Sequence, residues 1–121
     1  MEAAAVIRTD YEIERHKPLP SLNHSIVQRN LIFYLMMAYR EVYDILPEVK
    51  IARIDAEKGK VPDIAIAKGV AFRPGADSIV LEDIPLGIIE ILSPKQLLSE
   101  LVAKSDLYFN AGVQCSCPSI N

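Results

Sequence analysis

One acidic residue inside an apolar run constrains this chain more than any other feature. The stretch Leu86-Gly87-Ile88-Ile89-Glu90-Ile91-Leu92 is almost continuously aliphatic, the pattern of a central strand covered on both faces. Glu90 stands inside it. A carboxylate taken out of water is costly unless donors or a cation meet it, so this strand needs polar partners from elsewhere in the fold. The plainer alternative places Glu90 at a sheet edge, facing solvent. A second acid, Asp63, lies in Val61-Pro62-Asp63-Ile64-Ala65-Ile66-Ala67, another short apolar run that reads as a strand. Two such acids on neighbouring strands suggest a cation site more than a core.

The rest of the chain supplies a frame for these strands. Tyr11-Glu12-Ile13-Glu14 alternates and reads as a strand. Pro18-Leu19-Pro20-Ser21 is a loop, and Ser21 or Asn23 can cap the helix after it. That helix is expected from about His24 to Tyr43, with Val27, Leu31, Tyr34, Leu35, Ala38 and Val42 as its apolar stripe. Glu48 to Ile54 alternates as a half-buried strand, and Asp55 to Lys60 is a turn. Pro62 falls near the start of its strand, where a missing ladder donor is tolerated. Residues 68–85 carry Gly69, Pro74, Gly75 and Pro85 and read as a long connection without secure internal structure. A second helix is expected from about Lys95 to Ala111, stopped by Gly112. Its apolar arc is Leu97, Leu101 and Tyr108, widened by Leu98, Val102 and Phe109. The order is strand, helix, three strands, helix, in an α/β (α+β) domain.

Lys104 projects at the edge of that arc, between Leu97 and Tyr108. An ammonium there either snorkels to water or pairs with Asp63 and Glu90. Two carboxylates on strands suit Mg²⁺, which prefers oxygen ligands and keeps several waters. Such an ion lowers the pKa of a bound water and stabilises charge on phosphate, and a lysine beside it can do the same for the transition state. These are the parts that phosphodiester hydrolysis requires. His24 lies at the start of the first helix. It is either a locally hydrogen-bonded histidine or a proton carrier or phosphate contact near the site.

Length and composition bound the remaining classes. With 121 residues, half of them hydrophobic, the chain makes one domain with a modest core. No apolar run approaches the roughly 18 residues of a membrane span, and Glu2, Arg8 and Asp10 break any secretory pattern at the start. A cytoplasmic protein with no membrane partner is expected. The net charge of −3 counts mildly against nucleic acid, although Arg15-His16-Lys17, Lys58, Lys60, Arg73 and Lys95 could form a local basic patch. Cys115 and Cys117 have no second pair with which to complete a zinc site and read as free thiols.

The order helix, three strands, helix, with Pro62-Asp63 on one strand and Glu90 on the next, resembles the PD-(D/E)XK nuclease superfamily. Within it, Tyr11-Glu12-Ile13-Glu14, Lys17 through His24, Val61-Pro62-Asp63, Glu90 through Pro94, Leu101 through Lys104, Tyr108 and Gly112-Val113 closely resemble the Uma-two family of restriction-endonuclease-like proteins. The resemblance covers about residues 10–114. It implies a Mg²⁺-dependent (or Mn²⁺-dependent) DNA endonuclease with a restriction-endonuclease-like core, Asp63 and Glu90 as metal carboxylates and Lys104 as the catalytic lysine. The superfamily's usual lysine two positions after the glutamate is replaced by Leu92. Glu12 and His24 match recurrent accessory positions.

The chain departs from the family at its end. Such domains continue with another strand, whereas Gln114-Cys115-Ser116-Cys117-Pro118-Ser119-Ile120-Asn121 has weak strand character. The expectation is therefore a domain over residues 1–113, an atypical tail over 114–121, and a missing final strand. An edge left open in this way recruits other chains. A dimer or larger assembly with impaired catalysis follows, or else a non-catalytic oligomerising module on the same scaffold.

Overall fold

A computed structural model describes residues 21–54, 60–78, 80–92 and 97–120. The expected strand at Tyr11–Glu14, the turn around 55–59, and Glu12, Arg15, His16, Lys17, Lys58 and Lys95 lie outside the described residues.

Helix α1 spans Leu22–Tyr39. Ser21 caps it, its Oγ accepting the His24 N–H at 3.1 Å, and so satisfies one of the orphan donors of the first turn. The helix ends one turn earlier than its apolar pattern suggests. The N–H of Arg40 closes on Met36 O, and Val42 and Tyr43 both turn back onto Tyr39 O. Val42 therefore leaves the helix and is exposed. Val27, Leu31 and Leu35 are half-buried as the stripe requires, but Tyr34 is 65% exposed and Phe33 and Met37 still more so. Apolar residues are spread around α1, so periodicity alone could not select its buried face.

Among the described residues the main sheet has four strands in the order β1-β3-β5-β6, the last being Cys115–Ile120. Strand β1 is Asp44–Pro47, β3 is Ile64–Ala67 and β5 is Gly87–Leu92; each pairs antiparallel with the next. Among the described residues β1 lies at the edge of the sheet, where Pro47 is tolerated. The alternating Glu48–Ile54 segment is not one strand. Glu48 adopts a left-handed conformation at φ +45° and breaks the chain between β1 and the two-residue β2, Lys50–Ile51. Strand β2 pairs parallel with β4, Val80–Leu81, in a small second sheet. The 68–85 connection thus contains a short strand that its composition concealed.

Helix α2 spans Leu98–Ala111. Gly112 terminates it at φ +108°, and the next amide, Val113 N–H, returns to Tyr108 O at 3.0 Å. The chain then forms β6, Cys115–Ile120, which runs parallel to β5 from Gly87↔Cys115 to Leu92↔Ile120. The missing strand is therefore a correction: the tail supplies it. Its poor intrinsic propensity is overridden by place, because a parallel partner beside a buried central strand gains a full ladder of backbone bonds. Ser105 Oγ and Ser116 Oγ, 2.9 Å apart, tie α2 to this strand.

The core lies around β5. Ile88 joins Ile51, Ile54, Tyr108 and Val113 in one buried cluster, with Leu81, Ile84 and Ala111 packed against it. On α2, Leu101 and Tyr108 are buried, whereas Leu97, Leu98, Val102 and Phe109 are exposed. The buried face of α2 is thus narrower than the apolar arc of its sequence.

Gly112 sets the direction of the chain into β6. A Cβ there would meet Ile84 at an ordinary 3.9 Å, so the obstacle to a side chain is conformational. Gly112→Ala should cost about 1–2 kcal/mol, measured as a lower urea midpoint with an unchanged m-value.

Candidate functional site

The antiparallel ladder of β3 and β5 ends at Ile64↔Ile89. One further step in this register sets Asp63 opposite Glu90. Instead of continuing the backbone ladder, each acid accepts from a backbone amide across the strand pair. The Asp63 N–H donates to Glu90 Oε1 at 3.1 Å, and the Ile91 N–H donates to Asp63 Oδ2 at 2.7 Å. Each carboxylate thereby satisfies an amide on the other's strand. Asp63 is 5% exposed and Glu90 6%, so the edge position weighed for Glu90 does not occur. Charge-assisted bonds of this kind offset much of the cost of burial.

Helix α2 delivers two groups to the other oxygen of Glu90. The Tyr108 hydroxyl donates to Oε2 at 2.8 Å, and Lys104 Nζ lies 3.6 Å from the same atom. Residues 104 and 108 are one helical turn apart, so both reach the same point. The Lys104 side chain is 34% exposed. It therefore touches both the carboxylate and the solvent, and neither of its two sequence readings is complete alone.

Helix α1 supports Asp63. His24 Nε2 lies 3.1 Å from Asp63 Oδ1, while its buried Nδ1 meets no hydrogen-bond partner among the described residues. The tautomer protonated at Nε2 fits this environment, since it leaves Nδ1 as an acceptor and not as a stranded donor. Gln28 Nε2, one turn on, donates to the Asp63 carbonyl at 2.8 Å, and the Glu48 N–H approaches the same carbonyl at 3.3 Å. Both the side chain and the backbone of Asp63 are thus fixed by α1 and the β1–β2 break.

Asp63, Glu90, Lys104 and His24 come together, while Glu12 lies outside the described residues. Two contributors were not singled out as site residues from sequence. Tyr108 was legible as part of an apolar arc and of the family resemblance, with no role attached to its hydroxyl. Gln28 carried no signal beyond its place one turn after His24. Cys115 and Cys117 are free and exposed.

The donor set suits a hard dication. Among the described residues no three His, Cys, Asp or Glu side chains are grouped to form a cage. A pair of buried carboxylates fits an ion such as Mg²⁺, which is commonly held by one or two carboxylates and completes its shell with water and substrate oxygens.

Burial raises the pKa of Tyr108 far above that of a free tyrosine, and the adjacent Glu90 raises it further. The folded state therefore holds this proton more tightly than the unfolded chain. The resulting stability is fully present below pH 10, the ordinary tyrosine value, and is lost as the pH rises through the higher folded value. In metal-free buffer above about pH 10, unfolding free energy should fall by up to about 1.4 kcal/mol per pH unit through this group. Urea titrations between pH 8 and 11 should show that component in the native protein and not in Tyr108→Phe.

Comparison with known proteins agrees with this geometry. No curated protein matches the sequence. A solved structure from Anabaena variabilis, titled as a putative nuclease belonging to DUF820, superposes with a TM-score of 0.68 at 19% identity, over 85% of this chain and 59% of that one. The chain thus spans about three fifths of the length of that nuclease, and the likeness establishes a restriction-endonuclease-like fold, with a mixed sheet and two helices among the described residues. None of the described helices is long and apolar enough to cross a membrane. The model of the Uma2 family, described as "Putative restriction endonuclease", matches residues 5–115, nearly the whole chain, and the protein belongs to that family.

Proposed function

We propose that this chain is a divalent-metal-dependent DNA endonuclease that hydrolyses phosphodiester bonds, with Asp63 and Glu90 as metal carboxylates and Lys104 as the catalytic cation. The crossed hydrogen bonds, Asp63 N–H to Glu90 and Ile91 N–H to Asp63, support this reading. They hold two buried acids side by side, at the end of a ladder where the chain could have continued an ordinary sheet. A Mg²⁺ or Mn²⁺ ion bound there would supply Lewis acidity toward a phosphate oxygen and acidify a bound water.

The chain's own residues have distinct tasks. Asp63 and Glu90 present oxygen lone pairs that their backbone donors leave available, since a carboxylate has about four acceptor sites. His24 and Gln28 keep Asp63 from turning away. Lys104, partly exposed and close to Glu90, can orient the attacking water or stabilise negative charge on the phosphoryl oxygens as the P–O bond breaks. In this reading the lysine comes from α2 because the strand position two residues after Glu90 is Leu92.

The expectation of impaired catalysis and forced assembly rested on a missing strand. Strand β6 removes that ground. The alternative of a non-catalytic association module keeps one supporting observation, the exposed Phe33, Tyr34 and Met37 on α1.

Nicking of supercoiled plasmid tests the reading. Activity is expected with Mg²⁺ or Mn²⁺ and should vanish with chelator or with Asp63→Ala. Lys104→Ala should retain metal binding and lose about 10²–10³-fold in rate, the usual cost of removing one transition-state donor. Full-length, folded protein with metal-independent cleavage, or with no cleavage of duplex or single-stranded DNA under any metal, would refute the endonuclease assignment.

A further inference from the structure

The two groups that reach Glu90 Oε2 differ in character, and the difference is informative. Lys104 has a third of its side chain in solvent and a 3.6 Å approach. Tyr108 is 1% exposed and makes a 2.8 Å hydrogen bond. Its ring is packed in the cluster of Ile51, Ile54, Ile88 and Val113. Its phenol oxygen therefore stands at a place set by the core, whereas the lysine ammonium can move. The terminal torsion of a glutamate is intrinsically broad, so the plane of the Glu90 carboxylate depends on the donors that meet it, Asp63 N–H at Oε1 and Tyr108 at Oε2 among them.

We propose that Tyr108 is the positioning residue for the Glu90 carboxylate, its buried hydroxyl fixing the plane in which Glu90 presents a lone pair to the cation. The inference rests on the reading of Asp63 and Glu90 as metal carboxylates. It divides the work on α2. Tyr108 holds Glu90 whether or not a cation is bound, so Lys104 is not needed to orient that carboxylate and can turn to the phosphate. Without Tyr108 the Oε2 atom would lose its 2.8 Å donor, and Lys104, 3.6 Å away, would be drawn toward it. A hydrogen-bond partner of this kind behind a metal ligand is typically worth 10–100-fold in metal affinity.

The test is Mg²⁺ and Mn²⁺ titration by calorimetry of the native chain, Tyr108→Phe, Ile54→Val and Asp63→Ala, each first confirmed folded by circular dichroism. Tyr108→Phe removes one oxygen and leaves the ring in the core. Ile54→Val loosens the same cluster without touching the site. The expected result is native binding, none with Asp63→Ala, a 10–100-fold loss with Tyr108→Phe, and an unchanged affinity with Ile54→Val. Native binding that is lost with Asp63→Ala but unaltered by Tyr108→Phe overturns the positioning role and leaves the metal reading intact. Equal losses in Tyr108→Phe and Ile54→Val also overturn it, because core loosening then suffices. A native chain that behaves as Asp63→Ala does overturns the metal reading, and this inference with it. Should Tyr108→Phe not fold, 3-fluorotyrosine labelling of the native chain replaces it. The buried tyrosine's ¹⁹F line should move with saturating Mg²⁺ in the native chain and stay fixed in Asp63→Ala, and a line unmoved in both overturns the proposal.

Discussion

Everything around the site depends on the place where the β3–β5 ladder stops. Beyond Ile64↔Ile89 the backbone amides of Asp63 and Ile91 are still buried donors, and a buried donor left unpaired costs about 1–3 kcal/mol. The acids of the opposing strand answer them. Glu90 accepts from Asp63 and Asp63 accepts from Ile91. Their structural task and their proposed chemical task are thus compatible, since each uses only part of a carboxylate's acceptor capacity. Helix α1 and helix α2 then approach this junction and add His24 and Gln28 behind Asp63, and Tyr108 and Lys104 behind Glu90.

Much of this was legible in the sequence, for a physical reason. An acid in a run of aliphatic residues is a local contradiction, and such contradictions concentrate where function is. Glu90 and Asp63 showed it, Lys104 stood out as an ammonium at the edge of an apolar arc, and the family resemblance matched all three. The existence of the two described helices and of the strands around Ile64–Ala67 and Gly87–Leu92 was also legible from their apolar patterns, although the first helix stops a turn before its pattern does. Gly112 fell at the left-handed stop of α2 as read.

The misreadings share a cause: local pattern was overruled by surroundings. Glu48–Ile54 alternates, yet Glu48 turns left-handed and sends the chain into a second small sheet. The Cys-Ser-Cys-Pro tail lacks β character, yet it completes the parallel edge of the main sheet. Tyr108 looked like one more core aromatic because its ring is one; only its oxygen belongs to the site. Gln28 lies on a helix with scattered apolar residues, and nothing in sequence ties it to a carbonyl 35 positions away.

The crossed bonding at the ladder's end also bears on how the protein reaches its fold. In a sheet, a slip of one residue turns every side chain to the opposite face. Strands β3 and β5 are short and aliphatic, so hydrophobicity alone discriminates weakly among their registers. Only the register that sets Asp63 opposite Glu90 lets both acids meet both amides. A slipped pairing would bury charge without donors. The acids therefore act as a proofreading mark for strand alignment, and the proposed cation site is assembled in the same step in which the sheet is correctly aligned.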